Sequence, residues 1–111
     1  MAAGATIEVL AEPSRREILD LLRDGERSVN ALVKGLALSQ PAVSKHLRVL
    51  REAGLVEVRA DGRRRVYRVR AEPLMELDEW LEPYRVLWRV SLDKLERHLN
   101  DAQAGSKRRR S

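Results

Sequence analysis

LSQPAVSKHLRVLREAGLV, Leu38 to Val56, is the stretch on which the reading of this chain turns. Ser39 can lend its hydroxyl as an N-cap. Pro41 is tolerable only in a first helical turn, where no intrahelical N–H is lost, so a helix is predicted to begin at about Ser39. Val43, Leu47 and Leu50 recur at i, i+4 and i+7 and predict its buried side. Pro41, Lys45 and Arg48 fall opposite, with Gln40 and Ser44 on one flank, and Gly54 marks the end. The outward side is small, polar and cationic, which suits a helix that inserts into something as well as one that merely faces water.

The elements on either side give this helix a setting. Upstream, Ile18, Leu19 and Leu22 line one face of a stretch opened by Pro13 and closed by Gly25, and a short helix over Thr6 to Leu10 is predicted before it. Ser28 can cap a further helix with Val29, Leu32, Val33 and Leu36 on its inner face, ending in the short turn Gly35-Leu36-Ala37-Leu38. Downstream, Val56 and Val58 alternate with Glu57 and Arg59, and Tyr67 and Val69 with Arg68 and Arg70. This is the half-buried strand pattern, and Asp61-Gly62 supplies the turn of a two-stranded hairpin with an arginine-rich tip. From Pro73 onward Leu74, Leu77, Leu81, Tyr84, Trp88, Leu92, Leu95 and Leu99 recur every three or four residues. Pro83 within that run predicts a kink or two abutting helices.

With 111 residues, a single domain over 1–101 is expected, followed by a basic, disordered tail over 102–111. Lys and Arg number 22 against 17 Asp and Glu, a net charge of +5, and the excess gathers in Arg63-Arg64-Arg65-Val66-Tyr67-Arg68-Val69-Arg70 and Lys107-Arg108-Arg109-Arg110. A basic balance on a small domain favours a polyanionic partner. There are no cysteines, which excludes disulfides and thiolate metal sites. No apolar run is long enough for a membrane span and no secretory signal opens the chain, so no membrane partner and a cytoplasmic location are expected. His46 and His98 are the only histidines, there is no Gly-rich phosphate loop, and no serine sits in a nucleophile-elbow context. The chain is therefore not expected to be an enzyme, and no catalytic residue is named.

Two short helices joined by a tight turn, the second opening with small polar residues and followed by a basic hairpin, describe a winged helix-turn-helix. The expected class is mainly α with a small β-hairpin, with helical dimerisation elements at the N- and C-terminal ends. SQPAVSKHLRVLREAGLVEVRADGRRRVYRV, with LAEPSRREILDLL ahead of it, resembles the ArsR/SmtB family of bacterial transcriptional repressors over roughly residues 5–70. Capping serine, proline, Ser-Lys-His-Leu, Ala-Gly-Leu-Val and wing tyrosine occur in one order and register. The later LDEWLEPYRVLWRVSLDKLERHL is similar to the dimerising C-terminal helix of members that lack metal sites.

The resemblance implies a homodimer that binds operator DNA as an inverted repeat and represses transcription, in some members its own, often releasing DNA when an effector binds. It places Gln40, Ser44, Lys45 and His46 at recognition-helix positions that face DNA, with Arg48 on the same helix. Gln can pair with adenine, Lys with guanine and Ser with several acceptors, while Arg63, Arg64 and Arg65 would neutralise phosphates or reach a minor groove. His46 lies nearer the core edge, so packing competes with contact there. Leu77, Trp80, Leu81, Tyr84, Leu87, Trp88, Leu92, Leu95 and Leu99 are the expected dimer surface.

The family's thiolate metal site would fall where this chain has Ser28, Asn30 and Val33, and its C-terminal site where only His98, Glu96 and Asp101 are near one another. No metal and no cofactor are expected. The alternatives are a winged-helix module that binds protein instead of DNA, and a repressor released by an organic ligand or a partner protein. The effector itself is not named by the sequence.

Overall fold

The computed structural model describes the backbone of residues 2–110 and the side chains of residues 3–103. In chain order the elements are α1 (Ala2–Leu10), α2 (Pro13–Arg23), β1 (Arg27–Ser28), α3 (Val29–Gly35), α4 (Gln40–Glu52), β2 (Val56–Asp61), β3 (Arg64–Val69) and α5 (Glu72–Arg110). Two compact units divide the chain, residues 1–79 and the helical continuation from Trp80. Among the described residues no helix is long and apolar enough to cross a membrane.

Helices α2, α3 and α4 each start where a side chain accepts from one of the free N–H groups. Glu12 accepts from Ser14 N–H ahead of Pro13, Ser28 Oγ from Ala31 N–H, and Ser39 Oγ from Ala42 N–H at 3.3 Å. The end of α4 is equally determined. Leu55 N–H donates to Leu50 C=O and Gly54 N–H to Arg51 C=O, both at 2.9 Å, and Gly54 adopts φ +75°, so the helix closes in a Schellman motif. That motif turns Leu55 inward to join Leu50, both fully buried. At the end of α3 a Cβ on Gly35 would sit 3.0 Å from Leu21 Cδ1, so the glycine permits the close approach of α3 to α2.

The core joins Ile18, Leu19 and Leu22 of α2, Leu32 of α3, Val43, Leu47 and Leu50 of α4, and Leu55, Val56 and Tyr67 of the hairpin and its approach. All three positions predicted for the inner face of α4 are at most 1% exposed. Each such side chain contributes about 1.5–3 kcal/mol relative to exposure. The recognition-helix candidate is thus fixed on one side by packing and at both ends by caps.

The structure differs from the sequence reading, or decides between its alternatives, in four places. The sheet has three strands in the order β1-β3-β2, because Arg27 and Ser28 pair antiparallel with Tyr67 and Val66. The hairpin loop is Gly62-Arg63, not Asp61-Gly62. Asp61 still pairs with Arg64, and Gly62 alone takes positive φ (+64°), the pattern of a type II′ turn. α5 runs through Pro83 as one helix, so two abutting helices are not formed. Pro83 deprives one carbonyl of its partner, and the turns on either side carry the ladder past it. Lastly, helical backbone continues through 102–110, where a disordered tail is expected from the sequence. Extending an existing helix adds a hydrogen bond for each residue fixed without a new nucleus, and the backbone stays helical past Gly105.

Candidate nucleic-acid interface

The inward pull of Val43, Leu47 and Leu50 dictates what α4 turns outward. Gln40, Ser44, Lys45 and Arg48 are all exposed. Lys45 and Arg48 have no ion pair among the described residues, so two cations stand free on a helix face that also carries an amide and a hydroxyl. His46 is set apart from these four. It is half-buried, and its Nδ1 is enclosed without a hydrogen-bond partner, which makes packing the dominant part of its environment.

The hairpin beside α4 is less uniformly basic than its sequence reads. Arg64 donates to Asp61 at 3.2 Å, Arg68 is hydrogen-bonded to Glu57, and Arg70 lies 3.7 Å from Glu72 and 4.0 Å from Glu57. Arg59 reaches across to Glu26 in a two-pronged pair, with Nε 3.1 Å from Oε2. The hydrogen bond from Arg59, reinforced by its charge, holds the Glu26 carboxyl below the usual carboxylate range, and the Arg59 guanidinium is correspondingly raised. Arg63 and Arg65 are left exposed and without an ion pair among the described residues, Arg63 in the loop and Arg65 opposite Ala60. The three arginines taken together in the sequence therefore separate into two free cations and one already engaged.

Two of these pairs follow from the hairpin itself. Glu57 lies directly across the ladder from Arg68, and Asp61 from Arg64, so once the register is known the opposite charges face each other. The Glu26–Arg59 pair joins residues 33 apart in sequence and has no local signal.

His98, Glu96 and Asp101 do not form a ligand cluster. Among the described residues no three His, Cys, Asp or Glu side chains come together in a way that could hold a metal ion. Trp80, Tyr84, Leu87, Trp88, Leu92, Leu95 and Leu99 are between 47% and 64% exposed along α5, while Leu77 and Leu81 are half-buried. The Trp80 and Tyr84 rings pack at 5.0 Å between centroids.

A family profile described as bacterial regulatory proteins of the arsR family matches residues 12–58, from the cap of α2 into β2. The chain is 43% identical over 68 residues to the HTH-type transcriptional repressor SmtB of Mycobacterium tuberculosis, covering 61% of this chain and 50% of that protein. It therefore spans about half the length of that relative. It is 37% identical over 76 residues to the arsenical resistance operon repressor of Staphylococcus xylosus, covering 68% and 73% respectively. The structure of an ArsR-like transcriptional regulator from Rhodococcus sp. RHA1 aligns with a TM-score of 0.69 at 29% identity, covering 86% of this chain and 91% of that one. These relatives are named as regulators and not as enzymes. A capped helix α4 after a tight turn, a basic hairpin behind it, and a sequence match that runs through the first and into the second lead to one assignment: the chain belongs to the ArsR family of bacterial transcriptional regulators, with a winged helix-turn-helix fold.

Proposed function

We propose that this protein is a cytoplasmic homodimeric repressor that binds an inverted-repeat operator, with α4 in the major groove and the β2–β3 hairpin along the flanking backbone. The observation that carries this reading is the division of α4. Its apolar side is wholly consumed by the core, while Gln40, Ser44, Lys45 and Arg48 remain exposed and free of ion pairs among the described residues. A major groove about 12 Å wide admits one α-helix, and an amide, a hydroxyl and an ammonium can each read base edges there. Arg63 and Arg65 have the reach and the unspent charge for phosphates.

The apolar stripe of α5 supports the dimer. Leu77, Leu81, Tyr84, Trp88, Leu92, Leu95 and Leu99 follow one another at spacings of 4, 3, 4, 4, 3 and 4, two repeats of an eleven-residue pattern. At about 3.67 residues per turn such a stripe keeps to one side of the helix with a slight right-handed drift. A second copy of the same stripe, related by a two-fold axis, covers it and sets two copies of α4 for two half-sites. Both the mycobacterial and the staphylococcal relative are named repressors.

The test is fluorescence anisotropy on the DNA just upstream of the coding region and on a scrambled duplex. Gln40→Ala and Ser44→Ala are each expected to weaken operator binding by about 1–3 kcal/mol and to leave scrambled DNA nearly unaffected. Folded variants that keep the full operator preference would remove α4 as the reader of sequence. The hairpin has a different signature. Arg63→Ala and Arg65→Ala should weaken both duplexes together and lower the slope of log K against log salt by about 0.9 for each phosphate no longer neutralised. Arg64→Ala should change the slope less, since Asp61 already offsets its charge. Equal slopes for all three variants would contradict the division of the wing into free and engaged arginines.

A further inference from the structure

A cavity of about 520 Å³ opens in the first unit, between the end of α1, one face of α2, the last residue of β3 and the root of α5. Leu10, Leu19, Val69 and Leu74 form its apolar walls, and Arg16, Asp20 and Arg23 stand at its edge. The volume is within the range of small-molecule sites, which combine apolar walls with a few placed polar groups.

The edge is built in a particular way. Arg16, Asp20 and Arg23 fall at i, i+4 and i+7 along α2, so two guanidinium groups flank one carboxylate, and neither arginine pairs with it. Arg23 is 3.7 Å from Asp24, and that pair is well exposed. Arg16 is held in place from the other side. Its Nη1 donates to Leu10 C=O at 2.6 Å and to Ala11 C=O at 3.3 Å, the carbonyls left open where α1 ends. Its remaining N–H groups have no partner among the described residues. A pinned guanidinium with spare donors, at the mouth of an apolar cavity, is arranged to receive an oxyanion whose other end is hydrophobic.

We propose that this cavity is a binding site for an amphipathic organic acid, an aromatic or fatty carboxylate or sulfonate, with its anionic group on Arg16 and its apolar body between Leu10, Leu19, Val69 and Leu74. A neutral ligand would leave the spare donors of Arg16 unused. An acidic peptide would bring more charge than one net positive edge can match. The site touches both α2, whose Leu19 belongs to the core shared with α4, and Val69, the last residue of β3 in the wing. It requires neither operator binding nor the α5 dimer, so its test stands apart from theirs.

The probes are anilinonaphthalene sulfonate and its uncharged parent, N-phenylnaphthylamine, titrated by fluorescence against the full chain. Arg16→Gln is expected to weaken the sulfonate about fivefold to tenfold while the parent stays within about twofold, and Arg16→Lys, which keeps the charge, should lose less. Ala71→Trp fills the cavity from an exposed position just ahead of α5 and should abolish saturable binding of both probes. Lys94→Gln, on α5 beyond the cavity, should change neither. Three results overturn the proposal: no saturable binding to the native chain, binding that survives Ala71→Trp, or an equal loss of both probes in an Arg16→Gln variant whose circular dichroism is native. Survival of binding in Ala71→Trp would locate the probe on the apolar stripe of α5. Should Arg16→Gln fail to fold, the Arg16→Lys and Ala71→Trp titrations still decide the matter.

Discussion

Leu92→Asp should convert the protein into a folded monomer and lower operator affinity by about a hundredfold or more. Leu92 sits in the middle of the eleven-residue pattern and is 57% exposed in the single chain, so the aspartate disturbs nothing inside the protomer. In a dimer the same carboxylate would be enclosed between apolar helices without a cation, a burial that costs several kcal/mol. Once the subunits part, each half-site must be held by independent encounters, and the gain from linking two binding events, about 10²–10⁴, disappears. Sedimentation equilibrium at micromolar concentration should show the native chain at twice 12.7 kDa and the variant at 12.7 kDa. Circular dichroism should be unchanged. A folded variant that still sediments as a dimer would move the interface away from this stripe.

The second large effect is on stability. Leu47→Ala should cost about 2–5 kcal/mol, a large fraction of the roughly 5–15 kcal/mol typical of a whole domain. Leu47 is 1% exposed in the core shared by α2, α4 and the hairpin, and truncation leaves a cavity between two capped helices and a paired hairpin, with little freedom to collapse. Lys45→Ala, two residues away on the outer face, should change stability by no more than about 0.5 kcal/mol. Urea unfolding of the two variants reads both numbers. Comparable losses would mean that the outer face of α4 is engaged within the protomer and is not available to a partner.

What is legible in the sequence and what is not divides along physical lines. The caps at Ser28 and Ser39, the end at Gly54 and the inner face Val43, Leu47 and Leu50 depend on interactions a few residues apart, and they stand in the structure as the sequence implies. β1 is invisible in the sequence because two residues show no alternation. It exists only because β3 offers it a free edge. The placement of the loop at Gly62-Arg63 depends on the ladder register, which pairs Val56 with Val69 and so carries Asp61 opposite Arg64. His46 and Arg64 show the same limit in the candidate interface. The family resemblance sets both among the expected DNA contacts, while the enclosure of His46 Nδ1 and the Asp61 partner of Arg64 are matters of spatial arrangement. The cavity beside Arg16 is likewise beyond the reach of the sequence, since its walls come from α1, α2, β3 and α5.

The carboxylates threaded through the wing have a consequence for how such a regulator finds its site. Among Arg59, Arg63, Arg64, Arg65, Arg68 and Arg70, all but Arg63 and Arg65 have an acidic neighbour among the described residues. Random chromosomal DNA attracts protein by ion release alone, in proportion to the positive charges that meet phosphates. A hairpin that carried six free guanidinium groups would be retained on every stretch it touched, and the search for one operator among a great many competing positions would slow accordingly. If the wing lies along DNA as proposed, most of its charge is already answered locally, so it would let go of wrong DNA quickly and dwell only where α4 also found its bases.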